Sequence, residues 1–299
     1  MDEIPATITD TSRRHEFVLM FDVTNGNPNG DPDAANLPRM DPESGHGLVT
    51  DVAIKRKVRN YLALAHNLPI FIQSESALNT LKSGAADRVD PPLTPAERSS
   101  GRPIPRLQSR LCSEFYDIRM FGAVLATGEA GDRLNAGQVR GPLQVTFARS
   151  IDRIAPMDAT ITRQARTTEE RMETGTTEMG RKSFVPYGLY RAHGYFNPFL
   201  AERTGVSTDD LQAFWQALTN LFEFDRSASR GDMAVCGLYV FTHENKLGNA
   251  SARSLFNLIT VDPVQQTETA RPPRQFSDYA VRVDRENLPP GVTLTALVG

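Results

Sequence analysis

The amino-acid sequence predicts an α+β fold whose main sheet follows the order βαββαβ. Three observations carry this. Apolar runs at 15–23 and 234–242 have the length and the β-branched and aromatic content of buried strands. Apolar residues at 54, 58, 61, 62 and 65, and again at 211, 214, 215, 218, 221 and 222, recur at the helical period. Between these two helical patterns, 141–151 and 184–196 read as strands.

Taken in order, residues 1–14 are polar and expected to fray. His15 to Val23 (HEFVLMFDV) forms the first strand and ends in turn residues. The loop Asn25-Gly26-Asn27-Pro28-Asn29-Gly30-Asp31-Pro32-Asp33 follows, kept out of regular structure by Pro and Gly. Thr50-Asp51 caps a helix running to about Ala65. Residues 66–112 are irregular, with short helices expected near Glu75–Lys82 and after Thr94-Pro95. Phe115–Ala126 is expected to be helical, with Ile118, Phe121, Val124 and Leu125 on one face. Gly141–Ile151 supplies the second strand and Phe184–Phe196 the third, where Pro186 suggests an edge or bulge. Ser207 caps the strongest helix, with Asp209 and Asp210 in its first turn and an apolar stripe through Phe222. Ala234–Thr242 is the last strand.

This is the split βαβ, ferredoxin-like order shared with RNA-recognition motifs, laid out as one modified domain over 15–299. Its insertions are large, at about 25–50, 66–112 and 156–183. The last is rich in Thr and Arg and poor in large apolar residues, so it has no core of its own. With Thr174-Gly175 as a turn, it is expected to protrude as a β-hairpin arm.

Composition narrows the function. No run approaches 18 apolar residues, and Met1-Asp2-Glu3 opens no secretory leader. Two cysteines, Cys112 and Cys236, exclude a disulfide framework. A cytoplasmic protein is expected. The net charge of -3 hides an uneven distribution: residues 1–54 carry -7, residues 55–97 carry +2, residues 98–203 carry +5 and the remainder -3. Only five of the 33 basic residues are Lys. Arginine's planar fork suits phosphates and bases.

Sites for catalysis are hard to find. The five histidines (15, 46, 66, 193, 243) lack metal-binding spacing, and no phosphate loop, dinucleotide fingerprint or nucleophile elbow occurs. Asn25, Asn27, Asn29 and Gly30 mimic the start of a calcium loop, but Asn36 stands where a bidentate Glu is needed. No metal or other cofactor is expected. Asn25, Gly26, Asn27 and Asn29 instead offer amide and backbone donors to a phosphate. The first helix carries Lys55, Arg56 and Arg59 on one arc beside its apolar stripe, with Lys57 further round. No carboxylate lies between Val52 and Ala65 to neutralise them. That pattern predicts a polyanionic partner.

The segments FDVTNGNPNGDPD, TDVAIKRKVRNYL, FYDIRMFGAV, GPLQVTFARSID, FVPYGLYRAHGYFNP and FDRSASRGDM together resemble the backbone subunit of type I CRISPR surveillance complexes. This is the Cas-seven family of the RAMP superfamily, and the spacing is most similar to the type I-C branch. The resemblance runs from about His15 to Ile259. It implies an RRM-like palm with inserted fingers and a β-hairpin thumb. It also implies copies stacked head to tail along one CRISPR RNA, whose spacer is held for pairing with target DNA. The implied companions are the other Cascade subunits: a RAMP processing subunit, a large subunit and a small subunit. On this resemblance the chain is not an enzyme. The RNA-binding residues expected are Asn25, Gly26, Asn27, Asn29, Lys55, Arg56 and Arg59, with Arg163, Arg166, Arg181 and Lys182 on the arm. Met172 or Met179 would be the thumb wedge. The alternative is a RAMP endoribonuclease that cleaves repeat RNA using His193 or His243.

Overall fold

The computed structural model describes residues 4–126, 133–163, 178–264 and 271–299. The first strand, β1 (His15–Gly26), is followed by the short strands β2 (Gly30–Asp31), β3 (Leu37–Pro38) and β4 (His46–Val49). Helix α1 (Asp51–His66) comes next; the hydroxyl of its cap, Thr50, accepts the Ala53 N–H at 3.2 Å. Four helices follow: α2 (Leu78–Asp87), α3 (Pro95–Ser99), α4 (Pro105–Glu114) and α5 (Tyr116–Phe121). The paired strands β5 (Gly122–Val124) and β6 (Gln138–Arg140) lead into β7 (Leu143–Val145), β8 (Ala148–Arg153), β9 (Met157–Arg163) and the long β10 (Glu178–Phe196). Helices α6 (Pro198–Thr204) and α7 (Thr208–Thr219) precede β11 (Asp232–His243). The chain ends with α8 (Ala252–Phe256), β12 (Ile259–Pro263), β13 (Tyr279–Val283) and β14 (Val292–Val298).

The main sheet runs β14-β11-β1-β10-β8-β4, with β7 also against β10. The four strands foreseen from the sequence therefore lie in the order fourth, first, third, second, and every pairing is antiparallel. Each βαβ unit leaves a gap of one strand that the other unit fills, which is the split arrangement. Pro186 suggested an edge or a bulge; β10 is an interior strand, and its register against β1 is the same on both sides of Pro186. Pro186 lies between the pairs Gly26↔Val185 and Thr24↔Tyr187, opposite Asn25 with φ 52°, so its missing N–H falls where the ladder is interrupted.

Both faces of the sheet are covered. Phe17, Leu19, Phe21 and Val23 of β1 pack with Ile54, Val58 and Leu62 of α1 and Leu211, Phe214, Trp215 and Leu218 of α7. On the opposite face Val18 and Met20 join Tyr187, Tyr239 and Phe241 under α8 and the β12–β13 pair.

Several expectations need correction. Residues 4–14 do not fray: Ile8 is fully buried and its carbonyl accepts the Trp215 indole N–H at 2.8 Å. The span 66–112 is not irregular. It begins a helical lobe reaching to 139, with its own core of Phe71, Leu107, Leu111, Phe115, Ile118 and Val139. The helix expected over 115–126 stops at Phe121, because Gly122 adopts φ 81° and crosses Gly141 closely. A Cβ on Gly122 would lie 2.4 Å from the Val139 carbonyl oxygen, and Val124 is exposed. The strand expected over 141–151 is interrupted at Thr146 and Phe147. The arm is a hairpin as far as it is described, with 178–184 of β10 paired to 157–163 of β9. Thr174-Gly175 lies outside the described residues.

The cap of α7 provides a check on these elements. Ser207 accepts the Asp210 N–H at 3.1 Å while Asp210 accepts the Ser207 N–H at 2.9 Å, closing a capping box. Ser207→Ala is expected to cost about 1 kcal/mol in urea unfolding, and Ser207→Gly only a few tenths.

Candidate nucleic-acid interface

A groove of about 650 Å³ opens beside the N-terminal turn of α1. The loop leaving β1 forms one wall through Asn27, Pro28, Asn29 and Gly30, continued by Asn36 and Arg39. Thr50 to Ala53, Arg56 and Lys57 form a second wall, which puts the positive end of the α1 dipole at the groove. Pro32, Phe147, Ser229 and Arg230 complete the lining.

The walls are joined by local chemistry. Gly26 passes so close to the 225–231 loop that a Cβ would lie 1.7 Å from the Arg230 carbonyl oxygen. The Asn27 N–H donates to the Ser229 carbonyl at 2.8 Å, and the Asn27 amide donates to the Asn36 carbonyl at 2.7 Å. Asn29 Oδ1 accepts the Thr50 N–H at 2.9 Å, fastening the loop to the cap of α1. The Asn27 amide is thus engaged within the protein, whereas Asn29 spends only its Oδ1 on the helix cap and its Nδ2 lies 3.5 Å from the Gly30 carbonyl, at the groove lining. Asn25 is exposed, with positive φ, outside the groove lining.

The cations of α1 do not share one open arc, and carboxylates from other segments reach them. Arg59 is buried at 8% side-chain exposure and pairs with Asp117 at 2.9 Å. Asp117 also accepts the Phe71 and Ile72 N–H groups, tying α1 to the helical lobe. Lys55 pairs with Asp51 at 3.0 Å. Lys57, which the helical wheel set apart, is buried against Asp225, which also holds Arg230. Burial lowers the Lys57 pKa, and the Asp225 carboxylate opposes that shift. Arg56 alone of the four is exposed. Around the groove stand Arg39, 3.5 Å from Asp31, Arg56, and the Lys57 and Arg230 pair held by Asp225; Asp51 is the carboxylate in the lining itself.

On the arm, Arg181 is exposed and Lys182 donates to the Ala228 carbonyl, linking the arm's base to the groove-wall loop. Arg166 and Met172 lie outside the described residues, as do the side chains of Arg163 and Met179. The sequence reading missed Arg39, Lys57, Arg230 and Phe147 as lining residues. No local periodicity brings these four positions together; only the sheet topology does.

The histidines of the alternative reading are enclosed. His243 is fully buried, its Nε2 2.5 Å from Glu16 and its Nδ1 accepting the Asn249 N–H. His193 stacks on Phe256 at 4.1 Å, and burial, with the Arg191 charge beside it, lowers its pKa to about 4. Burial also lowers His15 to about 4. Among the described residues, no grouping of three or more His, Cys, Asp or Glu could hold a metal ion, and no helix is long and apolar enough to cross a membrane.

Fold and site therefore define an α+β protein with a cation-lined groove at the end of its central strand. The family model for CRISPR-associated protein Cas7 matches residues 13–284, and the chain belongs to that family. A CRISPR-associated protein Cas7 from Haloferax volcanii is 25% identical over 228 residues, which is 70% of this chain; the chain spans 65% of that relative's length. Among solved structures, a chain of a CRISPR RNA-guided surveillance complex in a pre-nicking state aligns with TM-score 0.48 and 14% identity, covering 76% of this chain and 78% of its own. A chain of the Type III-B Cmr-beta complex bound to cognate target RNA aligns at 0.39 and 10% identity, covering 76% and 61%.

Two outcomes follow from the ion pairs and the histidines. Arg59→Gln strands the fully buried Asp117 and is expected to cost about 3 kcal/mol in denaturant unfolding, whereas Arg56→Gln changes stability by less than about 0.5 kcal/mol. His15 and His193 are held neutral in the fold, so the unfolded chain binds more protons below the ordinary histidine pKa. Stability is expected to be level above about pH 6.5 and to drain as pH falls toward about 4. Denaturation midpoints at pH 7, 5.5 and 4.5 should fall less steeply in His193→Gln.

Proposed function

We propose that this chain is a non-catalytic CRISPR RNA-binding backbone subunit. In this reading it polymerises along the guide spacer in a type I-C Cascade antiviral complex in the cytoplasm and presents the spacer to target DNA. The groove carries the proposal. Arg39, Arg56, Lys57 and Arg230 come from three separate segments and gather at one groove; Asp31 lies 3.5 Å from Arg39 and Asp225 holds Lys57 and Arg230, which leaves Arg56 as the exposed cation among them. Such a surface takes up a phosphodiester chain without reading its bases, as a guide-holding protein requires because every spacer differs. Family membership supports the same assignment.

The finger role goes to the 25–50 segment and to the helical lobe that begins in 66–112. The thumb is the β9–β10 arm, with Arg163, Arg166, Arg181 and Lys182 toward RNA and Met172 or Met179 as its wedge. A heterologous contact between copies, repeated head to tail, generates an open filament with the RNA as its ruler. The processing, large and small Cascade subunits would complete the assembly. The nuclease alternative is disfavoured by the setting of its histidines: His243 is sealed against Glu16, and His193 lies flat on Phe256.

The test is the salt dependence of binding to single-stranded RNA. Each phosphate contact contributes about 0.7 to the slope of log K against log salt. The double variant Arg39→Gln/Arg56→Gln is expected to reduce the slope by about 1.4 whatever the RNA sequence. An unchanged slope in a folded variant removes the groove from the RNA path.

A further inference from the structure

We infer that Phe147 is a base-stacking platform on the wall of this groove, so that the groove binds nucleobases as well as phosphates. The inference rests on the RNA-binding reading above and deepens it. Along β7, Leu143 and Val145 point into the core and Gln144 points out. Continued alternation would bury residue 147. Instead the register against β10 slips by one residue: Val145 opposes Gly194, but Arg149 opposes Arg191. One extra residue stands between β7 and β8, which is a β-bulge. The slip puts Ala148 in the core and leaves Phe147 outside at 54% exposure. A bulge of this kind re-aims a side chain, and here it turns a large aromatic from the core to the groove.

The bulge is held firmly. The Thr146 N–H donates to the His193 carbonyl at 2.8 Å, and the Thr146 hydroxyl accepts the His193 N–H at 3.0 Å. The same hydroxyl donates to the Phe147 carbonyl at 3.0 Å. A solitary exposed Phe is ordinary on a protein surface. Phe147 differs because it lines the same groove as Arg56 and Lys57. Cations that track a phosphate chain beside an aromatic plane make up the arrangement that binds single-stranded nucleic acid without sequence preference.

The experiment compares two probes on the full-length protein: a 12-nucleotide oligoadenylate, and a ribose-phosphate 12-mer lacking bases. Stacking of one base is worth about 5- to 150-fold in affinity. Phe147→Ala is expected to weaken oligoadenylate binding by about tenfold or more, with the salt slope unchanged, and to leave the abasic probe unaffected. Phe147→Trp should restore the affinity, and its fluorescence should be quenched on binding. The chain's single native tryptophan, Trp215, is fully buried, so that signal comes from position 147. Phe147→Leu, which keeps an apolar side chain at the bulge, should behave like Phe147→Ala. The inference is overturned if Phe147→Ala binds both probes like the wild type, or if it loses affinity for both equally. In either case the groove reading survives as long as Arg39→Gln/Arg56→Gln lowers the salt slope. Failure of the wild-type protein to bind either probe overturns both readings.

Discussion

β1 has no face to give to water, and the placement of the groove follows from that. Its run from Phe17 to Phe21 is fully or almost fully buried, alternate residues pointing into opposite layers. A strand apolar on both sides requires a cover on both sides of the sheet. Helices α1 and α7 supply one cover, while α8 and the β12–β13 pair supply the other. In an RNA-recognition motif the open sheet face stacks the bases. Here the aromatics of the corresponding face, Tyr187, Tyr239 and Phe241, are buried beneath the C-terminal segment. The open concave surface lies instead at the end of β1 and the loops leaving it, where the groove is.

Helix α1 divides its charges according to what each side packs against. Arg59 turns to the helical lobe and meets Asp117, Lys57 turns to the 225–231 loop and meets Asp225, and Lys55 bonds back to Asp51. Only Arg56 of the four is left exposed. Buried pairs of this sort add little net stability against an apolar alternative, because desolvation offsets attraction. Their effect is orientational: each unpaired alternative would strand a charge, so the helix has one acceptable rotation between sheet, lobe and loop. The same pairs place Lys57 and Arg230 together at the groove through their shared carboxylate.

The extent to which the sequence disclosed this structure tracks how local each signal is. The strands 15–23, 184–196 and 234–242 and the helices after Thr50 and Ser207 were legible because periodicity and caps act within a few residues. β12, β13 and β14 were not, since short half-exposed strands carry weak patterns and are fixed by their partners. The helix at 105–114 was hidden by the flanking prolines, although Leu107 and Leu111 hold the helical spacing. The candidate site was legible only in outline. The Asn loop and the first helix do meet, as expected. Which cations face outward was not readable, because Asp117 and Asp225 lie 58 and 168 residues from their partners. Phe147 was hidden for a similar reason: strict alternation assigns it to the core, and only the register against β10 exposes the slip.

A net charge of -3 and a groove suited to a polyanion are compatible because screening confines surface fields to about 10 Å. What a phosphate chain would meet is the local constellation, and that is fixed by contacts within the protein. Asn27 is bonded to Ser229, Asn29 to Thr50, and Lys182 to Ala228, so the loop, helix cap, arm and far wall hold one another in place. Donors held in this way lose little conformational freedom on binding, which leaves more of each contact's energy to appear as affinity. Asp225 sets the limit. By pairing with both Lys57 and Arg230 it keeps two cations at the groove while offsetting part of their charge, so that a phosphate chain bound as proposed would be oriented by the wall more than gripped by it. On the proposed reading, in which every guide differs, orientation matters more than grip, and these buried carboxylates are the groups that would supply it.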